Sequence, residues 1–184
     1  MKEYSDAEIF ELLRKPSSQQ EGFRMLVRGY RRRAYSLAIK MVFDHYDADD
    51  AVQEAFIKIW NKKEQMKEAD KLKSWVFKIV SNEALQTLRT RKRKNFLFQR
   101  NTLGDEHEKY AIATHPFFSG DEIQKKFYKA MTALSGQQRN IFVMKYFEEM
   151  KYNEISEVTG LAVGTLKATY HQSVKKIKKE LENV

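Results

Sequence analysis

The residues best suited to chemistry lie in "GLAVGTLKATYHQSVKKIKK", Gly160 to Lys179, which holds five lysines and no acid. Gly160 suits the left-handed position that ends a helix, and the preceding "YNEISEVT" predicts a helix of about two turns with Asn153 at its cap and Ile155 and Val158 inward. Leu161 and Val163 pin the turn, and a second helix is expected from Thr165. Helix, glycine turn and helix describe a helix-turn-helix, whose second helix enters the major groove. Leu166, Tyr170, Val174 and Ile177 form its buried stripe, so Thr165, Lys167, Ala168, Thr169, His171, Gln172, Lys175 and Lys176 are candidates for contact with DNA. Gln172 can pair bidentately with adenine, Lys167 can reach guanine or a phosphate, and the later lysines suit phosphates. A plain amphipathic helix with a lysine-rich solvent face is the simpler alternative.

Other chemistry is not indicated. The four histidines, His45, His107, His115 and His171, have no metal-ligand spacing, and with no cysteine the chain lacks thiolate zinc sites and disulfides. It carries no phosphate-binding loop, dinucleotide fingerprint or nucleophile elbow. Catalysis, a cofactor and a metal are not expected. The net charge of +9 over 184 residues favours a polyanionic partner. No apolar run approaches the ~20 residues of a membrane span, and the polar amphipathic N-terminus does not read as a signal peptide. A soluble, cytoplasmic protein is expected.

Seven glycines, two prolines and apolar spacings of three and four predict an all-α chain. Ser5 or Asp6 caps a first helix that stops near Pro16, and a second starts near Gln20. In "HYDADDAVQEAFIKIWNKK", Val52, Phe56, Ile59 and Trp60 form an apolar stripe. In "ADKLKSWVFKIVSNEALQTLRTRKRK" the core stripe is Leu72, Trp75, Val76, Ile79, Leu85 and Leu88. Lys78, Asn82, Gln86 and Arg89 share another face, and the segment ends in five basic residues of six. Periodicity fails from Phe96 to Asp121. That stretch is long for a loop inside one compact domain, so it divides the chain in two. Its aromatics, Phe96, Phe98, Tyr110, Phe117 and Phe118, suggest that it lies on a surface. Ser135 and Gln138 have capping-box spacing and start a later helix.

Two stretches together resemble a known family. "DADDAVQEAFIKIW" with "KSWVFKIVSNEALQTLRTRKRK" is similar to region 2 of bacterial sigma factors, and "LSGQQRNIFVMKYFEEMKYNEISEVTGLAVGTLKATYHQSVKKIKKEL" to region 4. Their order, with a short linker, resembles the extracytoplasmic-function (group IV) class. The resemblance implies two small helical domains, 1–95 and 123–184, joined by a linker, 96–122. It implies binding to core RNA polymerase and promoter DNA, with aid to promoter melting, and an anti-sigma factor as a further partner. Asp47, Asp49, Asp50, Gln53 and Glu54 would face the polymerase. Five acids and no Lys or Arg between Asp44 and Glu54 agree, because acid repels phosphate. Lys73, Lys78, Asn82, Gln86, Arg89, Arg91 and Arg93 would meet the minus-ten element, with the loop "KKEQMKEADKLK" matching the family's loop for a flipped base. Trp75 is tempting as a stacking platform, but its place on the apolar stripe favours core packing. "RGYRRRAY" near Arg31 reads mainly as a solvated helix face. The candidate residues of the helix-turn-helix would meet the minus-thirty-five element. Thr169 and Gln172 stand where the family commonly has Arg, and Ala168 where Ser is common, so a preference less directed to guanine is expected. A helix-turn-helix regulator that works without polymerase explains the C-terminal half equally well, but gives the acidic helix no role.

Overall fold

Local capping decides where most helices begin. The computed structural model describes residues 4–97, 108, 112–118 and 120–182, and every regular element among them is helical. Helix α1 spans Asp6–Arg14. The Ser5 hydroxyl accepts the Glu8 amide at 3.2 Å, and the Glu8 carboxylate accepts the Ser5 amide at 2.8 Å, a reciprocal box. Helix α2 spans Gln19–Val42 and ends at Phe43, a non-glycine residue with φ 50°. The Tyr30 hydroxyl donates to Asp6 at 2.7 Å and fastens α1 along α2. Helix α3 spans His45–Lys62, capped by the Asp44 carboxylate. Two short 3-10 turns, Lys63–Gln65 and Ala69–Lys71, lead into α4, Leu72–Leu97, which runs two residues past the expected boundary.

The core stripe of α4 is Leu72, Val76, Phe77, Val80 and Ala84. Trp75, Ile79, Leu85 and Leu88, assigned to that stripe by spacing, are only half-buried. Of these, Leu85 and Leu88 face Gly136 of the C-terminal half of the chain. That half contains α5 Glu122–Met131, α6 Gly136–Tyr146, α7 Tyr152–Thr159 and α8 Val163–Glu182. Ser135 and Gln138 form the expected capping box. Gly160 ends α7 at φ 73°, where only glycine is free of Cβ crowding. Two boundaries differ from expectation. Lys151, not Asn153, caps α7, because the Glu154 carboxylate reaches back to the Lys151 amide at 2.6 Å. Helix α8 starts at Val163, because the Leu166 amide already bonds the Ala162 carbonyl at 3.0 Å.

The linker does not hold the two helical domains apart. Their buried side chains form one continuous apolar cluster. Helix α6 packs on α2 and α4 as well as on α7 and α8. Arg139, Asn140, Ile141, Phe142, Val143 and Met144 are all buried, so α6 is covered on every side. The Ser81 hydroxyl donates to Asn140 across the junction at 3.0 Å. A Cβ on Gly136 would stand 3.0 Å from Leu88 and 3.3 Å from Leu85, so glycine permits the close approach of α6 to α4. Phe118 of the linker is fully buried, 5.5 Å from Phe43 and 4.8 Å from Tyr128. Phe98, Tyr110, His107 and the Phe96 side chain lie outside the described residues.

Candidate nucleic-acid and polymerase interfaces

Helix α8 presents the expected face. Leu166 and Ile177 are buried, and Tyr170 and Val174 are half-buried. Ser173 is fully buried as well, its hydroxyl donating to the Thr169 carbonyl at 2.8 Å. Tyr170 stacks on Phe142 with centroids 5.6 Å apart. Burial, then the neighbouring Tyr152 and Tyr146, raises its pKa above the ordinary tyrosine value, so the hydroxyl stays neutral in the packed layer. Thr165, Lys167, Ala168, His171, Gln172, Lys175 and Lys176 are exposed, and Thr169 is partly so. Two of these cations are already oriented. Lys167 sits 5.9 Å above the Tyr152 ring, and Lys176 donates to the Gln138 side chain at 3.1 Å.

Helix α4 presents a second polar stripe. Lys78, Asn82, Gln86, Arg89 and Arg93 are all exposed and follow the helical repeat along one face. Lys73 and Arg91, grouped with them from sequence, are placed differently. Lys73 lies 5.9 Å over the Phe77 ring and 3.5 Å from the Glu148 carbonyl oxygen. Arg91 turns inward to the Val42 carbonyl at 2.9 Å, Glu108 at 2.7 Å and Asp47 at 3.4 Å. Arg33, from the basic run read as solvated, is likewise committed, to Glu148 at 3.1 Å. Arg31 and Arg32 are exposed as expected.

The loop before α4 borders an open surface cavity of about 360 Å³. Met66 is buried and anchors the loop. Lys67, Lys71, Trp75 and Lys78 line the cavity, and Glu157 reaches it from α7. Trp75 packs against the core, as its place on the apolar stripe favours, and also borders the cavity. Lys71 pairs with Glu68 at 3.0 Å. That hydrogen bond and charge, with Glu157 adding, hold its pKa above the usual lysine value.

The start of α3 is acidic and contains more than charge. Asp50, Gln53 and Glu54 are exposed, while Asp49 faces His45 at 3.3 Å and Asp47 faces Arg91. Tyr46 is 79% exposed and Ile57 is 54% exposed. Tyr46, Asp50, Gln53 and Ile57 recur at spacings of four, three and four, so they share one face. An exposed stripe that mixes acids with large apolar groups suits a protein partner better than DNA. The sequence carried this signal, since Tyr46 and Ile57 fall off the core stripe, but the reading from acids alone missed it.

The second group that sequence reasoning missed joins the halves. Arg139 is 3% exposed and Glu108 is 6% exposed. Arg139 donates to Glu108 at 3.0 and 3.3 Å and to the Met41 carbonyl at 2.6 Å. Its guanidinium also lies 4.6 Å over the Phe43 ring. Arg91 and Arg139 thus cap the last carbonyls of α2, where cations also complement the helix dipole. Lys40 is buried between the Phe117 ring at 5.1 Å and the Phe147 ring at 4.6 Å, and it hydrogen-bonds Ser36. Burial, opposed by Glu148, lowers its pKa below the ordinary lysine value. The legible hint was α6 itself: a helix with apolar residues all round must be covered on more than one side.

Two family models match this chain: sigma-70 region 2 over residues 26–94 and sigma-70 region 4 over residues 124–177. The extracytoplasmic-function RNA polymerase sigma factor SigW of Bacillus subtilis is 24% identical over 172 residues, covering 90% of this chain and 91% of that protein. SigV of the same organism is 29% identical over 151 residues, with 80% and 83% covered. Among solved structures, the sigma factor RpoE in complex with the anti-sigma factor NepR from Bartonella quintana has a TM-score of 0.74 at 24% identity, covering 88% of this chain and 98% of that one. CnrH in complex with the cytosolic domain of CnrY has a TM-score of 0.66 at 18% identity, with 97% and 95% covered. No helix among the described residues is long and apolar enough to cross a membrane. With region 2 and region 4 in that order and the helix-turn-helix in the second, the chain belongs to the extracytoplasmic-function class of sigma-70 factors, the initiation factors that associate with RNA polymerase and direct it to promoters.

Proposed function

We propose that the two exposed polar faces divide promoter reading between them, with residues 1–95 and 123–184 as the two working units and 96–122 as their connector. The α4 face, Lys78, Asn82, Gln86, Arg89 and Arg93, takes the minus-ten element, with Lys73 and Arg91 joining it when freed from their internal contacts. The α8 face, Thr165 to Lys176, takes the minus-thirty-five element. The acidic and apolar stripe of α3, with Asp47 and Asp49 at its side, docks on core polymerase. An anti-sigma factor is the further partner, and the cytoplasm the place of action. The observation that supports this reading best is the separation of surface chemistry: two base-compatible faces on two helices, and a third face too acidic for DNA.

Run-off transcription with core polymerase on a genomic promoter library, with and without this protein, tests the reading. Defined start sites should appear only with the protein present. Selection from random DNA by the reconstituted holoenzyme then tests the α8 face. Gln172→Ala should relax selection at one minus-thirty-five position, where adenine is expected. An unchanged preference would remove Gln172 from the reading face.

A further inference from the structure

The contacts between the halves use groups that promoter binding needs. Glu157, on the first helix of the helix-turn-helix, lies at the loop cavity beside Lys67, Lys71 and Lys78, so an acid of one half stands where a phosphate would favour the lysines of the other. That arrangement depends on the halves being docked.

One residue ties the docking together. Glu108, from the linker, accepts from Arg91 of the N-terminal half at 2.7 Å and from Arg139 of the C-terminal half at 3.0 Å. Both guanidiniums are held on adjacent carbonyls of α2, Met41 and Val42. Without Glu108, two cations would crowd one helix end, and among the described residues Asp47, 3.4 Å from Arg91, is the acid left paired with them. Buried ion pairs of this kind break nearly even against desolvation. The Arg139 Nε is buried and has no partner among the described residues, which weakens the closed form further. Such a contact holds one arrangement while leaving it easy to open.

We propose that Glu108 is the bolt of an autoinhibitory latch: bridging Arg91 and Arg139, it keeps the free factor closed, with Glu157 seated at the loop cavity. This rests on the assignment of the α4 face and its loop to the minus-ten element. Closed and open forms exchange, and core polymerase and the DNA strand select the open one. Binding and opening are reciprocal, so weakening the bolt must raise the free protein's affinity for DNA. A closed population of about 80% lowers apparent affinity about fivefold.

The test uses the full chain and its holoenzyme. Small-angle scattering should give the wild type a radius of gyration near the roughly 16 Å of a compact chain of this length. Glu108→Gln, which keeps the side-chain shape, should raise it while helix content by circular dichroism stays constant. The probe is a fluorescein-labelled single strand bearing the minus-ten sequence enriched by the wild-type holoenzyme. Free Glu108→Gln should bind it about fivefold tighter than free wild type, and the two holoenzymes should bind it equally. Glu157→Gln, on the exposed face of α7, provides a variant outside the core and should also tighten strand binding without changing the radius. An unchanged radius in Glu108→Gln, or opening with no gain in strand binding, overturns the latch. If the holoenzyme enriches no sequence, the assignment of the DNA faces falls instead, and scattering alone still judges the latch.

Discussion

Replacing Arg139 by methionine keeps an unbranched side chain in the α6 position and removes the guanidinium. Five hydrogen bonds go with it: two to Glu108, and one each to the carbonyls of Met41, Thr132 and Leu134. Breaking one partner out of a buried ion pair costs about 3–5 kcal/mol. Glu108 keeps Arg91, which favours the lower end. The Thr132 and Leu134 carbonyls sit in the α5–α6 turn, so part of the loss stays inside the C-terminal half even when the halves separate. With a urea dependence of ~2–3 kcal/mol/M, the midpoint should fall by ~1–2.5 M. Arg139→Lys retains the charge without the fork and should recover less than half of the loss. The assay distinguishes the halves by an accident of composition: both tryptophans, Trp60 and Trp75, lie in the N-terminal half. Tryptophan fluorescence reports that half, and circular dichroism reports the whole chain. The two urea curves should coincide in the wild type and separate in Arg139→Met, with the fluorescence midpoint the higher. Coincident curves displaced by less than ~0.3 M would refute the argument that Arg139 couples the halves.

Gly160→Ala should cost about 1 kcal/mol, because the left-handed backbone is the whole penalty and a Cβ there meets nothing within 4 Å; thermal melting against a Gly164→Ala control measures it. Asp50→Lys together with Ile57→Ser should weaken binding to core polymerase about tenfold or more while leaving the melting temperature within ~2 °C, since both side chains are exposed; titration with labelled core enzyme checks it. His115 stacks on His45 with centroids 5.2 Å apart, and burial first, then the charge of His45, lowers its pKa below 6.5, with Asp44 opposing. The unfolded chain therefore binds that proton more tightly than the folded one. The stability His115 contributes is complete above about pH 6.5 and is lost as pH falls from there through its lower folded value. His115→Gln should flatten the fall in urea midpoint between about pH 7.5 and 5.5; an undiminished fall assigns it elsewhere.

What the sequence made legible was local. Ser5, Ser135 and Gly160 act through neighbours three or four residues away, and each sits where the pattern puts it. Asn153 was misjudged because a better local arrangement, Lys151 with Glu154, lay two residues earlier. The exposed faces of α4 and α8 were legible because a helix turns at a fixed rate and the apolar stripe marks the side that must be covered. Arg91, Asp47 and Lys73 lie on the expected helices, and each has an internal partner that the pattern does not reveal. Their partners, Glu108, Arg91 and the Glu148 carbonyl, are respectively 17, 44 and 75 residues away. No periodicity carries information over that distance. Glu108 was the least legible residue of all: one acid in a polar segment, given its role entirely by two arginines that meet only after the chain has folded.

The capping of α2 has a consequence for synthesis. The carbonyl of Met41 waits for a guanidinium that lies 98 residues further along the chain. At translation rates of ~5–20 residues per second, that delay is on the order of 5–20 seconds. The first four helices can fold within that time, long before α6 leaves the ribosome. The nascent factor thus passes through an interval in which the end of α2 lacks its guanidinium and the sides of α2 and α4 that later pack on α6 are uncovered, until the last third of translation supplies that helix.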